Sequence, residues 1–195
     1  MTLKDFISDY DFEGSVVLLE GKREIPSADS CKLTQLGTLL AERTEHILFR
    51  SGNAKGADYL FSLGVSKVDL SRLQVITPYK GHRNKESLAK NIIDLDSIDI
   101  ANEPEVVYQT RQSKTGDRLI DGYLAGNRGH VSMKAAYLLR DTVKVTGTGL
   151  IRGADFAIFW DDPGKPGSGG TGHTMAVCRR LGVPYIDQSV WYDWL

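Results

Sequence analysis

Short apolar runs alternate along this chain with longer stretches whose apolar residues recur at helical spacing. Val16-Val17-Leu18-Leu19, Ile47-Leu48-Phe49 and Leu73-Gln74-Val75-Ile76 read as buried strands, ended in turn by Gly21, Ser51-Gly52 and Thr77-Pro78. Ala154 to Trp160 reads as a fourth strand and Pro184-Tyr185-Ile186 as a short last one. Leu33, Leu36 and Leu40 share a helix face that Ser30 is placed to cap. Ala57, Leu60 and Phe61 mark a second helix stopping near Gly64, and Val131, Ala135, Leu138 and Leu139 mark a third. A further helix runs from about His173 to Leu181, with Arg179 and Arg180 in its last turn and Gly182 just beyond. Residues 79–128 break this rhythm. A helical piece is expected near Glu86 to Leu95, an extra strand at Val106-Val107-Tyr108, and an exposed loop from Gln109 to Gly116. The alternation predicts an α/β fold, a Rossmann-like three-layer sandwich with a mostly parallel central sheet.

Glycine loops follow three of these strands. Parallel sheets bind ligands at the carboxyl ends of their strands, so all three loops belong to one edge. The first, Gly21-Lys22-Arg23, offers a close turn and two cations, and is equally an ordinary strand-end turn with solvated charges. The second is Ser51-Gly52-Asn53-Ala54-Lys55-Gly56-Ala57-Asp58. Here Ser51, Asn53, Lys55 and free helix N–H groups are placed to meet an anion, and Asp58 either braces the loop or accepts from a ribose hydroxyl. The third, Gly167 to Thr174, has the outer glycines and the threonine of a P-loop but His173 where that motif needs lysine, and it follows a late strand. That excludes an ATPase reading and leaves Gly169, Gly170, Thr171, Gly172 and Thr174 as a ligand cradle.

Candidate chemistry is sparser. Asp161 and Asp162 are carboxylates at a strand end, available as base or nucleophile, in a sequence that is also a common turn. His173, near a helix N-terminus, is expected neutral and is the remaining candidate for proton transfer. Basic clusters at Lys80, His82, Arg83 and Lys85 and at Asn127-Arg128-Gly129-His130 suit phosphate or solvent alike, and Arg128 joins the candidate ligand contacts.

The 195 residues carry a formal net charge of -1, which gives no general attraction to nucleic acid. Two distant cysteines suggest neither a disulfide framework nor a zinc site, and no metal or cofactor is implied. Without a signal-like start or a long apolar run, a cytoplasmic protein of one domain is expected.

Ser51 to Asp58 resembles the SGGAxGAD-type signature of the SLOG superfamily, Gly169 to Thr174 its second glycine motif, and Gly21-Lys22-Arg23 its first turn. The resemblance spans about residues 15–78 and 127–187 and leaves 79–126 as an unmatched insertion. It implies a Rossmann-like sheet that binds a nucleotide or nucleotide-derived ligand, as a sensor or as an enzyme cleaving N-glycosidic bonds, and often a homodimer. Two departures stand out. The lonely-guy enzymes of the superfamily carry a glutamate where this chain has Ala176, and Asn53 replaces a glycine. The leading expectation is nucleotide binding. The alternatives are phosphoribohydrolase-like cleavage and, by analogy with DNA-processing protein A, single-stranded DNA binding, which the near-neutral charge disfavours.

Overall fold

The computed structural model describes residues 1–113, 116–127 and 129–195. Six strands, β1 (Val16–Gly21), β2 (Leu48–Ser51), β3 (Leu73–Thr77), β4 (Asn91–Asp94), β5 (Phe156–Trp160) and β6 (Tyr185–Ile186), form one sheet in the order β4-β3-β2-β1-β5-β6. Every pairing is parallel. Among the described residues eight α-helices accompany them: α1 (Leu3–Tyr10), α2 (Ser27–Arg43), α3 (Ala57–Ser66), α4 (Pro104–Arg111), α5 (Gly116–Leu124), α6 (His130–Thr146), α7 (Gly169–Leu181) and α8 (Gln188–Trp191). The sheet is covered on both faces. Val17, Leu19, Phe49, Val75, Phe156 and Ile158 pack with α1, α2, α3 and Trp191 of α8. Leu18, Ile76, Ala157 and Phe159 point the other way, into the layer of α4 to α7. The period of two along β1 therefore turns Glu20 toward that second layer, with Leu18.

Several local expectations change. The segment near Glu86 to Leu95 holds a 3₁₀ turn at Asn84–Glu86 and then β4, not a helix. Ile92 and Ile93 pair with Val75 and Ile76, so sheet edge overrides local pattern. Val106-Val107-Tyr108 lies in α4 rather than a strand, and the helix continues to Arg111 through the first three residues of the expected loop. Pro104 at its first turn starts α4, and Val106 and Thr110, one turn apart, bury against the second layer. Helix α2 starts at Ser27, directly after Pro26, not at Ser30.

Gly64 does not stop α3, which runs on to Ser66. A β-carbon at Gly64 would overlap the Thr34 carbonyl, and one at Gly37 the Phe61 carbonyl. The two glycines let α2 and α3 pack backbone to backbone. Cys31 is exposed and Cys178 buried, both as free thiols. No described helix is long and apolar enough to cross a membrane.

Candidate functional site

Strand order reverses at β1, whose neighbours are β2 and β5. The chain leaves β1 toward the first helical layer and leaves β5 toward the second, so the two loops part and open a crevice. A cavity of about 1240 Å³ lies there. Its walls are Glu20 to Glu24, Ala54 and Asp58, the loop from Asp162 to Thr171, one face of α6, Ser113 after α4, and Asp117 to Leu119 of α5.

Asp58 joins the first two loops. It is 1% exposed. Its carboxylate accepts from Gly21 N–H (3.1 Å), Gly52 N–H (3.0 Å) and Ala54 N–H (3.4 Å), so of the two roles open to it from sequence the bracing one is present in the geometry. Gly56, at φ +86°, sits where a β-carbon would overlap the Arg23 carbonyl, and Ala57 N–H donates to the Lys22 carbonyl at 3.0 Å. Buried Ser51 accepts from Asn53 N–H at 3.3 Å. Asn53 has φ +56° and donates through Nδ2 to the Arg83 carbonyl at 3.2 Å. Asparagine tolerates that left-handed backbone, which is why it stands in for a glycine here. Lys55 is exposed on the loop.

The third loop is tied to the first. Lys22 Nζ donates to the Ser168 carbonyl (2.6 Å) and hydroxyl (2.9 Å) and meets Asp161 at 2.9 Å. The other Asp161 oxygen accepts from Gly167 N–H at 2.6 Å. Asp162, at the cavity wall, accepts from Gly164 N–H at 2.8 Å. Helix α7 begins earlier than its pattern predicts, so Gly169, Gly170, Thr171 and Gly172 form its first turn. Gly169, Gly170 and Thr171 line the cavity. A β-carbon at Gly170 would stand 3.1 Å from an Asp141 oxygen, and one at Gly172 would overlap the Gly167 carbonyl, so α7 enters close against both.

His173 turns away from this space. It is buried, with Nε2 3.0 Å from the Thr142 hydroxyl, and burial lowers its pKa. Thr174 is fully buried and donates to Glu20 Oε1 at 3.0 Å. Arg128 lies outside the described residues.

Beneath the loops is a cluster that sequence reasoning missed. Glu20, Arg140, Asp141 and Lys144 are each at most 5% exposed. Lys144 Nζ meets Glu20 at 2.5 Å and Asp141 at 2.9 Å. Arg140 Nε meets Asp141 at 2.8 Å, and Arg140 also donates to the Gly52 carbonyl. Burial pushes the Glu20 carboxyl up to about 7, against the pull of Lys144. Asp141 is buried too, yet Arg140 and Lys144 hold its pKa below the ordinary carboxylate value. Two carboxylates on one cavity are thus driven apart. The available signal was Arg140-Asp141 and Lys144 charged inside a core helix, which by pattern alone reads as a solvated face.

Above the cluster, Tyr137 carries the guanidinium groups of Arg140 and Arg23 at 5.7 and 6.0 Å from its ring centroid. Its hydroxyl lies 3.1 Å from His82 Nε2. Burial, then Arg140, Arg83 and Arg23, lower His82 to about 4, so it is neutral at physiological pH.

No family model matches the chain, and no curated protein does. Its structure is similar to that of DNA processing protein A from Helicobacter pylori, a protein described for its single-stranded DNA binding mode. The TM-score is 0.51 at 14% identity, over 93% of this chain and 66% of that one. The chain thus spans less than two thirds of that protein's length. The likeness is one of fold, a parallel Rossmann-like sheet, the architecture the SLOG resemblance implied.

Proposed function

We propose that the cavity binds a nucleotide or nucleotide-derived small molecule, with a phosphate at the first turn of α7. The observation that carries this reading is the meeting of three features at the β1–β5 switch point. They are the open first-turn N–H groups of Gly169, Gly170 and Thr171, the cation Lys165 beside them, and a cavity large enough for a nucleoside. The backbone donors supply charge without a flexible side chain, so little ordering is lost on binding. Single-stranded DNA suits the cavity less well, because its walls mix carboxylates with cations and the chain's formal net charge is -1.

The Thr171→Asp variant tests the reading. An acidic residue in the first helical turn is compatible with the helix dipole, and because Thr171 is buried the variant's fold is checked first by circular dichroism and thermal unfolding. The new carboxylate occupies the anion's position. Calorimetry with AMP and GMP is expected to show affinity falling by about 10- to 100-fold. Unchanged binding by this variant removes the phosphate from α7.

A second reading, cleavage of an N-glycosidic bond, is favoured by the Glu20 and Asp141 pair. In this scheme Glu20 is protonated near neutrality and gives its proton to the departing base. Asp141 stays ionised and faces the positive charge that develops on the sugar. Water then adds to the sugar carbon and returns a proton to Glu20, so nucleoside phosphate and water become base and sugar phosphate. This pair replaces the glutamate missing at Ala176. Release of free base is expected to decline as pH rises through about 7, following loss of the Glu20 proton, and to be abolished in Glu20→Gln. Chromatography of adenine and guanine released from AMP and GMP measures it. Equal release by wild type and Glu20→Gln sinks this reading and leaves binding untouched.

A further inference from the structure

We infer that the ligand carries two separated anionic groups, and that Arg23, Arg118 and Lys134 hold the second at the outer end of the cavity. The inference rests on the nucleotide reading and adds a second anchor to it. Lys134, Tyr137, Leu138 and Asp141 line the cavity from one face of α6. Asp141 marks the inner end, since the first turn of α7 closes on it at Gly170. From Asp141 to Lys134 the helix advances about 10 Å. A single phosphate at α7 does not span that distance. Lysine and arginine side chains cover part of it, so two anions separated by the width of a sugar fit.

Positive charge at the outer end exceeds the carboxylates that share it. Among the described residues, Arg23, Arg118 and Lys134 form no ion pair, as Lys165 beside the α7 turn forms none, whereas the deeper cations Lys22, Arg140 and Lys144 all do. The three come from separate elements, the β1 loop, α5 and α6, and converge on one space. Arg23 is fixed there by its 6.0 Å approach to the Tyr137 ring, one turn of α6 from Lys134. Of the carboxylates at this end, Asp117 pairs with Arg111 at 3.5 Å, and Glu24 offsets only one of the three cations. Like charges facing a shared cavity repel, and a bound anion reverses that. Arg118 also gives the insertion of residues 79–126 a role, since α5 supplies the wall that completes this end. The ligand class is a nucleotide phosphorylated at two positions of its sugar, or two nucleotides joined through one.

Calorimetry on the full chain tests this with AMP, ADP, adenosine 3′,5′-bisphosphate, the guanosine counterparts, and an oligothymidylate. Arg23 and Lys134 are exposed, so the Arg23→Gln/Lys134→Gln variant is expected to fold normally. The 3′,5′-bisphosphate is expected to bind about 10-fold more tightly than the monophosphate, and ADP, with adjacent phosphates, to gain less. The double variant is expected to erase that gap while monophosphate affinity moves by less than about twofold. A bisphosphate no tighter than the monophosphate, or a gap that survives in the variant, overturns the inference and leaves the nucleotide reading intact. An oligothymidylate that outcompetes the bisphosphate overturns it in favour of a polymer. Failure of every nucleotide to bind overturns both.

Discussion

Asp58→Ala is expected to cost about 3–5 kcal/mol of folding stability, because it removes the carboxylate on which two buried backbone N–H groups converge. Gly21 and Gly52 are buried, and both donate to this one carboxylate, with Ala54 adding a longer contact. The energetic asymmetry of hydrogen bonding decides the size of the effect. A made bond contributes about 1 kcal/mol net, but a buried donor left unpaired loses the whole of its lost hydration. Alanine also leaves a gap where β1, β2 and α3 meet. Thermal unfolding is expected to fall by about 10 °C or more for a chain of this length. Asp162→Ala is the control, since Asp162 accepts a single N–H, from Gly164, in an exposed loop. Its cost is expected below about 1 kcal/mol. Equal losses in the two variants would falsify the view that Asp58 ties the first and second loops together.

Lys144→Met is expected to be nearly as damaging, at about 3–5 kcal/mol, because it leaves the buried Glu20 without its cation and Asp141 with Arg140 alone. Lys144 is 0% exposed and touches both Glu20 and Asp141. Its own pKa is held above the ordinary lysine value by those carboxylates, despite the opposing effect of burial. Urea unfolding at two pH values adds a signature that simple packing loss does not produce. Glu20 titrates higher in the fold than in the open chain, so its contribution is present in full below the ordinary glutamate value of 4.5 and is lost as pH climbs through about 7. Removing Lys144 drives that carboxyl higher still. The variant's deficit is therefore expected to be larger at pH 8 than at pH 6. Pairing the variant with Glu20→Gln is expected to recover part of the loss, since a neutral amide needs no counter-charge and still accepts from Thr174. A deficit independent of pH, with strictly additive double-variant energies, means the cluster is not electrostatically coupled.

The parts of this protein that were legible from sequence are those whose signals are local. Val16 to Leu19 and Phe156 to Trp160 are apolar on consecutive positions, which only a strand buried on both faces requires. Gly21, Gly52 and the glycines before His173 follow such strands, and strand direction alone puts them at one edge. Asn53 was legible as a departure, and its reason emerged with its positive φ. The illegible parts depend on distant partners. Strand β4 exists because β3 presents an open edge, and Val106 is helical because Pro104 starts a turn that buries Val106 and Thr110. Gly64 punctuates nothing; it lets one helix backbone approach another.

What the sequence by itself determined was the class of fold, the edge of the sheet that carries the loops, and the glycines that shape them. These follow from the hydrophobic period and from the conformations open to each residue type, both properties of a few neighbouring positions. Only the tertiary structure decided which side chains share the cavity. Glu20 and Lys144 lie 124 positions apart in the chain, and neither is unusual in its own segment. Their meeting depends on strand order, on the side toward which β1 turns its alternate residues, and on the register of α6 against the sheet. His173, the most conspicuous titratable residue of the glycine loop, lies one residue from Thr174, which reaches Glu20. The rotation of α7 turns the imidazole to Thr142 and the hydroxyl to the cluster. An angle about a helix axis sorts side chains between cavity and core, and it is set by packing across the whole second layer.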